Sequence, residues 1–280
     1  MHDFPRIAFI GGGNMAGALI EGLLEQGCDP ARLAVIDVSE QAQRKWRERG
    51  LQVTDQPSDA LRQCEVWLLA VKPQQLHQVV ISARPFLQPG TLVISIAAGI
   101  SLSSLYQWLG NPDTPGPAVI RAMPNTPALV GQGVTGLAAA QGVQQPQRAV
   151  AEQLLSCVGE VVWVKDDAQI DAVTALSGSG PAYVFRFIEG LIAGGQALGL
   201  DSQQARALAL ATVSGAATLA ARSDEPVEVL RDRVTSKGGT TAAALDVMQS
   251  RQFHETVIVA MKAAYERSGQ LSAEFGKTDA

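Results

Sequence analysis

The sequence has few of the residues that build disulfide frameworks or metal sites, with three cysteines and three histidines among 280 residues. Cys28, Cys64 and Cys157 lie far apart and form no Cys-x-x-Cys pair, which predicts reduced, buried thiols. The histidines show no metal-ligand spacing either. We therefore expect neither a disulfide nor a metal site.

Long apolar runs are also lacking, because polar residues or glycine interrupt every candidate before about 18 residues, the length that a membrane span needs. The first residues, MHDFPRIAFIGGG, contain no charged leader followed by an apolar stretch. We expect no membrane span, no signal peptide and a cytoplasmic location.

Charge of one sign is not concentrated anywhere in the chain. The net charge is −5, acids and bases are interspersed, and no basic run occurs, so we expect no nucleic-acid partner. Apolar residues make up 46% and charged residues 18%, which is typical of a globular protein. The length suffices for one large domain or two ordinary ones.

Short apolar runs alternate with helical patterns through residues 1–164, which predicts an α/β domain with a Rossmann-type, doubly wound parallel sheet. Turn residues flank each run, as expected of strands buried on both faces. The predicted strands are RIAFI, LAVID, VWLLAV, TLVISIA, AVIRAM, GVTGLAAA and EVVWV. The stretch SEQAQRKWRERG predicts a helix that begins after a capping serine and ends at Gly50.

Residues 167–275 have helical periodicity throughout, which predicts a separate all-α domain over residues 165–280. Asp201 is a plausible N-cap for a long helix rich in alanine and glycine. Such a helix suits burial against another subunit or within one bundle, and periodicity leaves both alternatives open.

The clearest motif is Gly11-x-Gly13-x-x-Ala16, which directly follows the first predicted strand and opens a helix. This context predicts a dinucleotide site, with the pyrophosphate at the helix N-terminus. Asp37 ends the next strand, where a carboxylate accepts the ribose hydroxyls of NADH and repels the 2′-phosphate of NADPH. The alternative is a tight turn without a ligand.

Two later strands end in AVKPQ, residues 70 to 74, and SIAAGI, residues 95 to 100. Because ligands of doubly wound sheets bind beyond the carboxyl ends of the strands, these turns are candidates for the nicotinamide end of the cleft. Ordinary loops would have the same composition.

Six blocks together resemble the pyrroline-5-carboxylate reductase family: FIGGGNMA, AVKPQ, SIAAGI, IRAMPNTPALVGQG, DAVTALSGSGPAYVF and VTSKGGTT. The resemblance extends from about residue 6 to residue 270. It implies a Rossmann domain, a helical substrate-binding and dimerisation domain, and reduction by NADPH or NADH of 1-pyrroline-5-carboxylate to L-proline. It also implies homodimers through the helical domain and decamers of five dimers.

The resemblance also implies roles for individual residues. Thr241 is the catalytic residue, placed at the imine nitrogen. The substrate-binding residues are Ser177, Gly178, Ser179, Gly180, Val234, Ser236, Gly238, Gly239, Thr240 and Asn125. The cofactor-binding residues are Gly11, Gly12, Gly13, Asn14, Met15, Asp37, Ala70, Val71, Lys72, Pro73, Ala97, Ala98, Gly99 and Met123.

Three positions depart from the family pattern. Lys237 stands where a proline is usual, Asp37 stands where many members carry small polar residues that receive the 2′-phosphate, and Pro57 stands where an asparagine is frequent. The last two argue against the NADPH preference that is common in the family, and Asp37 by itself favours NADH.

The stretch VTSKGGTT is unusual between long helices, because it has two glycines and four hydroxyls but no histidine, cysteine or carboxylate. Gly238 and Gly239 would offer N–H groups to a substrate carboxylate at a helix N-terminus. Taken alone, the stretch could be only a helix connection with Thr240 as N-cap. There are two alternative functions. One is a β-hydroxyacid dehydrogenase with Lys237 as its acid–base residue, and the other is a nucleotide sensor without turnover.

Overall fold

The computed structural model describes residues 4–110 and 116–276. Contacts within the chain divide it into two compact units. The first comprises the residues up to Ser179 together with those from Ala264, and the second is Gly180–Ala263.

One eight-stranded sheet forms the centre of the first unit, in the order β3-β2-β1-β4-β5-β6-β7-β8. All neighbouring strands are parallel except β6 and β7, which are antiparallel. The strands are β1 Ile7–Ile10, β2 Leu33–Ile36, β3 Gln52–Thr54, β4 Val66–Leu69, β5 Leu92–Ser95, β6 Ala118–Met123, β7 Gly133–Ala139 and β8 Gly159–Trp163.

Helices cover both faces of this sheet, which confirms the predicted doubly wound architecture. Ile7 and Phe9 belong to one apolar cluster, and the alternate residues Ala8 and Ile10 belong to another, so both faces of β1 are buried. The helices of this unit are α1 Asn14–Glu25, α2 Glu40–Glu48, α3 Pro73–Ala83, α4 Leu102–Leu109, α5 Gln145–Leu155 and α6 Asp167–Val173, with the end of α11 Phe253–Phe275.

Arg121 of β6 is fully buried and forms ion pairs with two carboxylates of α6. Its guanidinium lies 2.6 Å from Asp167 and 2.9 Å from Asp171. Asp167 also accepts from the Leu102 N–H at the start of α4, and Asp171 accepts from the Ser268 hydroxyl of α11. These bonds attach α6 to the sheet.

The second unit consists of α7 Gly180–Ala197, α8 Ser202–Ala221, α9 Val227–Arg233, α10 Thr240–Ser250 and the beginning of α11. The predicted cap at Asp201 is present, and its carboxylate accepts from the Gln204 N–H at 2.8 Å. No side chain of α7, α9 or α10, whose residues are all described, is fully buried in the isolated chain. The unit therefore exposes much apolar surface.

The spatial division differs from the predicted sequence boundary at 164/165. Helix α6 and the turn after it pack on the sheet because of the Arg121 ion pairs, so the first unit extends to Ser179. Across the described ranges, no helix combines the length and apolar character that crossing a membrane requires.

Candidate active site

The predicted cofactor residues lie at the carboxyl ends of five adjacent strands. Gly11 follows β1, Asp37 follows β2, Ala70 follows β4, and Met123 ends β6. The turn with Ala97 and Gly99 follows β5. Strand order reverses between β1 and β4, which is the crevice where doubly wound sheets bind ligands.

The glycine loop fits a dinucleotide pyrophosphate. Gly11 has φ +103°, and a Cβ there would lie 2.8 Å from the Ala70 carbonyl group, so only glycine fits. Gly13 is exposed, has open space where a Cβ would be, and precedes α1 without a side-chain cap. The N–H groups of the first residues of α1, including those of Asn14 and Met15, are thus available to an anion.

Hydrogen bonds to both carboxylate oxygens and to the backbone carbonyl fix Asp37 in place. Its Oδ2 accepts from the Gly12 N–H at 2.7 Å and its Oδ1 accepts from the Ser39 N–H at 2.8 Å. Its backbone carbonyl accepts from the Gln43 amide at 2.8 Å. Since a carboxylate has about four acceptor positions, two remain for the hydroxyls of a ribose.

The turns after β4 and β5 complete this edge of the sheet. Lys72 is an exposed N-cap and Pro73 is the first residue of α3, while Ala70 and Val71 are half-buried. In the turn after β5, a Cβ on Gly99 would contact Leu271 of α11, while Ala97 is buried and Ala98 half-buried. The end of α11 therefore supports this turn.

Within the first unit, the structure brings RAMPNTP together with Ser177 and Gly178, the first two residues of SGSGP. The Nδ2 group of Asn125 donates to the Ser177 carbonyl at 3.1 Å, and its Oδ1 accepts from the Val134 N–H at 2.9 Å. A Cβ on Gly178 would lie 2.7 Å from the Met123 methyl group. Asn125 is 8% exposed, and its two hydrogen bonds position the turn at Ser177 relative to strand β7. A direct contact between its second Nδ2 hydrogen and the substrate stays a prediction.

A π-helical turn, Thr174–Gly178, joins α6 to the residues before α7. π-Helical turns are rare in proteins, and those that occur are often found at functional sites. This turn contains Ser177 and Gly178 and is followed by Ser179 and Gly180, which are all half-buried. The Ser177 hydroxyl donates to the Val173 carbonyl at 3.0 Å.

In the second unit, VTSKGGTT comprises the loop between α9 and α10 and the first two residues of α10. Val234 is the C-cap that follows α9, Gly238 has φ +71°, and Gly239 is the N-cap of α10 without a side-chain cap. The Gly239 N–H donates to the Ser236 carbonyl at 3.0 Å, which corrects the expectation that it is free for a substrate. The available donors are the first N–H groups of α10, beginning with Thr240 and Thr241.

Thr241, the predicted catalytic residue, lies in the first turn of α10 and is half-buried. Thr240 is the first helical residue, so the N-cap of α10 is Gly239 and the predicted Thr240 cap is wrong. Lys237 is exposed and precedes the helix.

Two important residues were missed by sequence reasoning. Trp46 of α2 is fully buried and its indole N–H donates to the Gly12 carbonyl at 3.0 Å. Its signal was a tryptophan within an otherwise polar helix. Arg121 lies within the predicted strand AVIRAM, and its signal is an arginine inside an apolar run.

Among the described residues, neither the cysteines nor the acidic groups form a second reactive or metal-binding centre. Burial raises the pKa of Cys64 to about 11 and that of Cys157 to about 12, and burial also raises the pKa of Cys28. No cluster of three metal-ligating side chains occurs among the described residues.

Comparisons with known proteins identify both parts of the chain. Residues 167–271 match the family model described as pyrroline-5-carboxylate reductase dimerisation, and residues 6–99 match NADP oxidoreductase, coenzyme F420-dependent. A pyrroline-5-carboxylate reductase of Pseudomonas aeruginosa is 46% identical, over 98% of this chain and 99% of that protein.

Solved structures agree with the sequence relatives. The structure of a pyrroline-5-carboxylate reductase from Coxiella burnetii is 39% identical with a TM-score of 0.91, and covers 99% of this chain and 100% of that chain. A Plasmodium falciparum pyrroline carboxylate reductase, crystallised with NADP bound, is 30% identical with a TM-score of 0.84, over 96% and 98%. The prediction from the six motifs is confirmed: the chain belongs to the pyrroline-5-carboxylate reductase family and is an NAD(P)H-dependent oxidoreductase.

Proposed function

We propose that this protein reduces 1-pyrroline-5-carboxylate to L-proline, the final step of proline biosynthesis. The full-length relationship to pyrroline-5-carboxylate reductases carries the proposal, since 98% of the chain aligns at 46% identity. Bound NAD(P)H supplies the hydride for the carbon of the C=N bond, and the ring nitrogen gains one proton.

Thr241 is the catalytic residue in this proposal, and its hydroxyl donates a hydrogen bond to the imine nitrogen. A cyclic imine is basic enough to arrive partly protonated, so a neutral hydroxyl can align and relay the proton without a strong acid. The position of Thr241 in the first turn of α10 supports this role, because the helix N-terminus attracts the substrate carboxylate and so holds the ring beside the hydroxyl.

The substrate carboxylate binds to the N–H groups at the start of α10, with Thr240, Ser236 and Gly238 around them and Val234 as an apolar neighbour. The absence of a side-chain cap at Gly239, a described residue, supports this role.

Ser177, Gly178, Ser179 and Gly180 form a second group of substrate-binding residues. The π-helical turn supports this role, because it interrupts the regular hydrogen-bond pattern at Ser177 and Gly178. Asn125 keeps this turn in place through the Ser177 carbonyl.

NADH is the preferred cofactor in this proposal. The support is Asp37, whose fixed carboxylate has two acceptor positions left for ribose hydroxyls and carries a charge that repels a 2′-phosphate.

The protein is a cytoplasmic homodimer in this proposal, assembled through the helical unit, with five dimers forming a decamer. The exposed apolar side chains of that unit support dimerisation, including Leu198 at 88% and Phe185 at 59%. The match of residues 167–271 to a dimerisation model agrees.

The decisive test measures initial rates of NADH and NADPH oxidation by purified protein with 1-pyrroline-5-carboxylate. We expect turnover, with a higher kcat/KM for NADH. No turnover with either cofactor, although calorimetry shows that both bind, would reject the substrate. Activity with a β-hydroxyacid but not with the imine would favour the dehydrogenase alternative.

A further inference from the structure

The side chain of Trp46 packs against the glycine loop and is hydrogen-bonded to it. Its indole is fully buried, and the indole N–H donates to the Gly12 carbonyl at 3.0 Å although the two residues lie 34 positions apart. A Cβ on Gly12 would lie 2.8 Å from the indole nitrogen, and a Cβ on Gly17 would lie 3.3 Å from the ring. The indole therefore contacts the loop and the first turns of α1.

The Gly12 peptide groups are held from two directions. Trp46 holds its carbonyl, and the Asp37 carboxylate accepts from its N–H at 2.7 Å. Both side chains belong to one short segment, β2 to α2, whose geometry is fixed by the Gln43 amide on the Asp37 carbonyl. The pyrophosphate loop and the ribose acceptor are consequently one hydrogen-bonded assembly.

We infer that Trp46 is a positioning residue for cofactor binding. It holds the glycine loop and Asp37 in their binding geometry before NADH binds. Without the indole N–H, the Gly12 carbonyl loses its buried partner and the loop gains alternative conformations. Binding then requires ordering the loop, which weakens the affinity. The inference concerns cofactor binding alone, so it holds or fails independently of the imine substrate.

The chain offers a matched control in Trp67. This residue is equally buried, and its indole N–H donates to the Leu61 carbonyl at 3.1 Å. Leu61 and Trp67 belong to the apolar cluster on one face of the sheet, whereas Trp46 belongs to the cluster on the other. Trp67→Phe therefore removes a similar hydrogen bond without touching the glycine loop.

The experiment measures the dissociation constant of NADH by isothermal titration calorimetry, without substrate, for the wild type, Trp46→Phe and Trp67→Phe. We expect Trp46→Phe to raise the constant by roughly 3- to 10-fold, the size of one lost hydrogen bond. Trp67→Phe should leave it unchanged. The KM for NADH should rise in Trp46→Phe with kcat at saturating NADH retained.

A second measurement uses the wild-type protein alone and therefore does not depend on whether a variant folds. In the wild-type protein without NADH, the indole hydrogen of Trp46 should exchange slowly with solvent deuterium, as should that of Trp67, because each is already hydrogen-bonded to a backbone carbonyl. Fast exchange of the Trp46 hydrogen before NADH is added would overturn the inference. Equal NADH affinity of Trp46→Phe and wild type, or equal weakening by Trp67→Phe, would overturn it as well.

Discussion

Asn125 donates through its side-chain amide to the Ser177 carbonyl at 3.1 Å, and this bond joins two motifs that lie 52 residues apart in the chain. The same amide accepts from the Val134 N–H, so a single side chain connects the loop after β6, strand β7 and the π-helical turn. The segment proposed to bind the imine therefore depends on a residue that contributes through its hydrogen bonds to the backbone.

Replacing this amide by an acid should weaken substrate binding selectively. In Asn125→Asp, a carboxylate oxygen faces the Ser177 carbonyl and repels it, so the turn shifts. We expect KM for 1-pyrroline-5-carboxylate to rise roughly 10-fold, equivalent to about 1.4 kcal/mol, with KM for NADH little changed.

Gln132→Glu is the control for this change, because it makes the same amide-to-acid substitution at an exposed position of the same loop. Equal effects of the two substitutions, or a rise confined to KM for NADH, would remove Asn125 from the substrate side.

Thr241→Ala should lower kcat by roughly 10- to 10⁴-fold while NADH binding is retained, because only alignment and proton donation are lost. Thr241→Ser keeps the hydroxyl and should recover most of the rate. Steady-state kinetics with calorimetry of NADH binding make the comparison.

Lys237→Ala provides the contrast to Thr241→Ala, since Lys237 is the acid–base candidate of the dehydrogenase alternative. We expect this variant to stay active. If Lys237→Ala abolished turnover and Thr241→Ala did not, the mechanism proposed for Thr241 would be wrong.

Asp37→Ser should change the cofactor preference. Removing the carboxylate removes repulsion of the 2′-phosphate, so the ratio of kcat/KM with NADPH to that with NADH should rise by at least roughly 10-fold. Since Asp37 also accepts from the Gly12 N–H, affinity for NADH should fall at the same time.

The control for this charge change is Asp29→Ser. Asp29 precedes the N-terminal end of β2, whereas Asp37 follows the C-terminal end, and the Asp29 carboxylate accepts from the Ala31 N–H. An unchanged cofactor ratio in Asp37→Ser, or the same change in Asp29→Ser, would contradict the role assigned to Asp37.

Arg121→Met should destabilise the fold, because it leaves Asp167 and Asp171 without their cation while preserving most of the side-chain volume. Removing one partner of a buried ion pair costs about 3–5 kcal/mol. Urea unfolding at fixed protein concentration measures the change.

Arg231→Met tests an exposed pair in the same way. Arg231 lies 2.8 Å from Asp232, and both side chains are more than half exposed, so the expected loss is below about 1 kcal/mol. Similar losses in the two variants would mean that the Arg121 ion pairs contribute little.

The thiols should react slowly while the protein is folded. Burial raises the pKa of Cys64 to about 11, so at pH 8 roughly 0.1% of this group is thiolate, the form that alkylating reagents attack. At pH 8 we expect iodoacetamide to modify Cys64 and Cys157 far more slowly in the folded than in the denatured protein, as mass spectrometry would detect. Raising the pH should increase the rate, since deprotonation is what limits it. Rapid alkylation at pH 8 in the folded protein would contradict the burial.

The parallel strands were predictable because their apolar runs are buried on both faces, as in β1 and β4. Strand β3 was missed, since Gln52–Thr54 is three residues long, partly polar and lies at the sheet edge. The antiparallel pairing of β6 and β7 could not be read from composition, because strand direction depends on the path of the connecting loop.

The candidate site was predictable where a motif requires a particular backbone, as at Gly11. It was not predictable where a side chain acts through a distant residue. Nothing near Gly12 in sequence indicates Trp46, and nothing near Asn125 indicates Ser177, because these bonds form only after the sheet has brought the segments together.

The packing of the indole against Gly12 constrains how this protein can evolve. An alanine at position 12 would require the ring of Trp46 to withdraw and the methyl group of Val35, 2.9 Å away, to yield. Mutational paths are therefore ordered: smaller residues at both 35 and 46 must come first, and only then can the middle glycine of the loop vary. In descendants of this sequence, positions 12, 35 and 46 should change together.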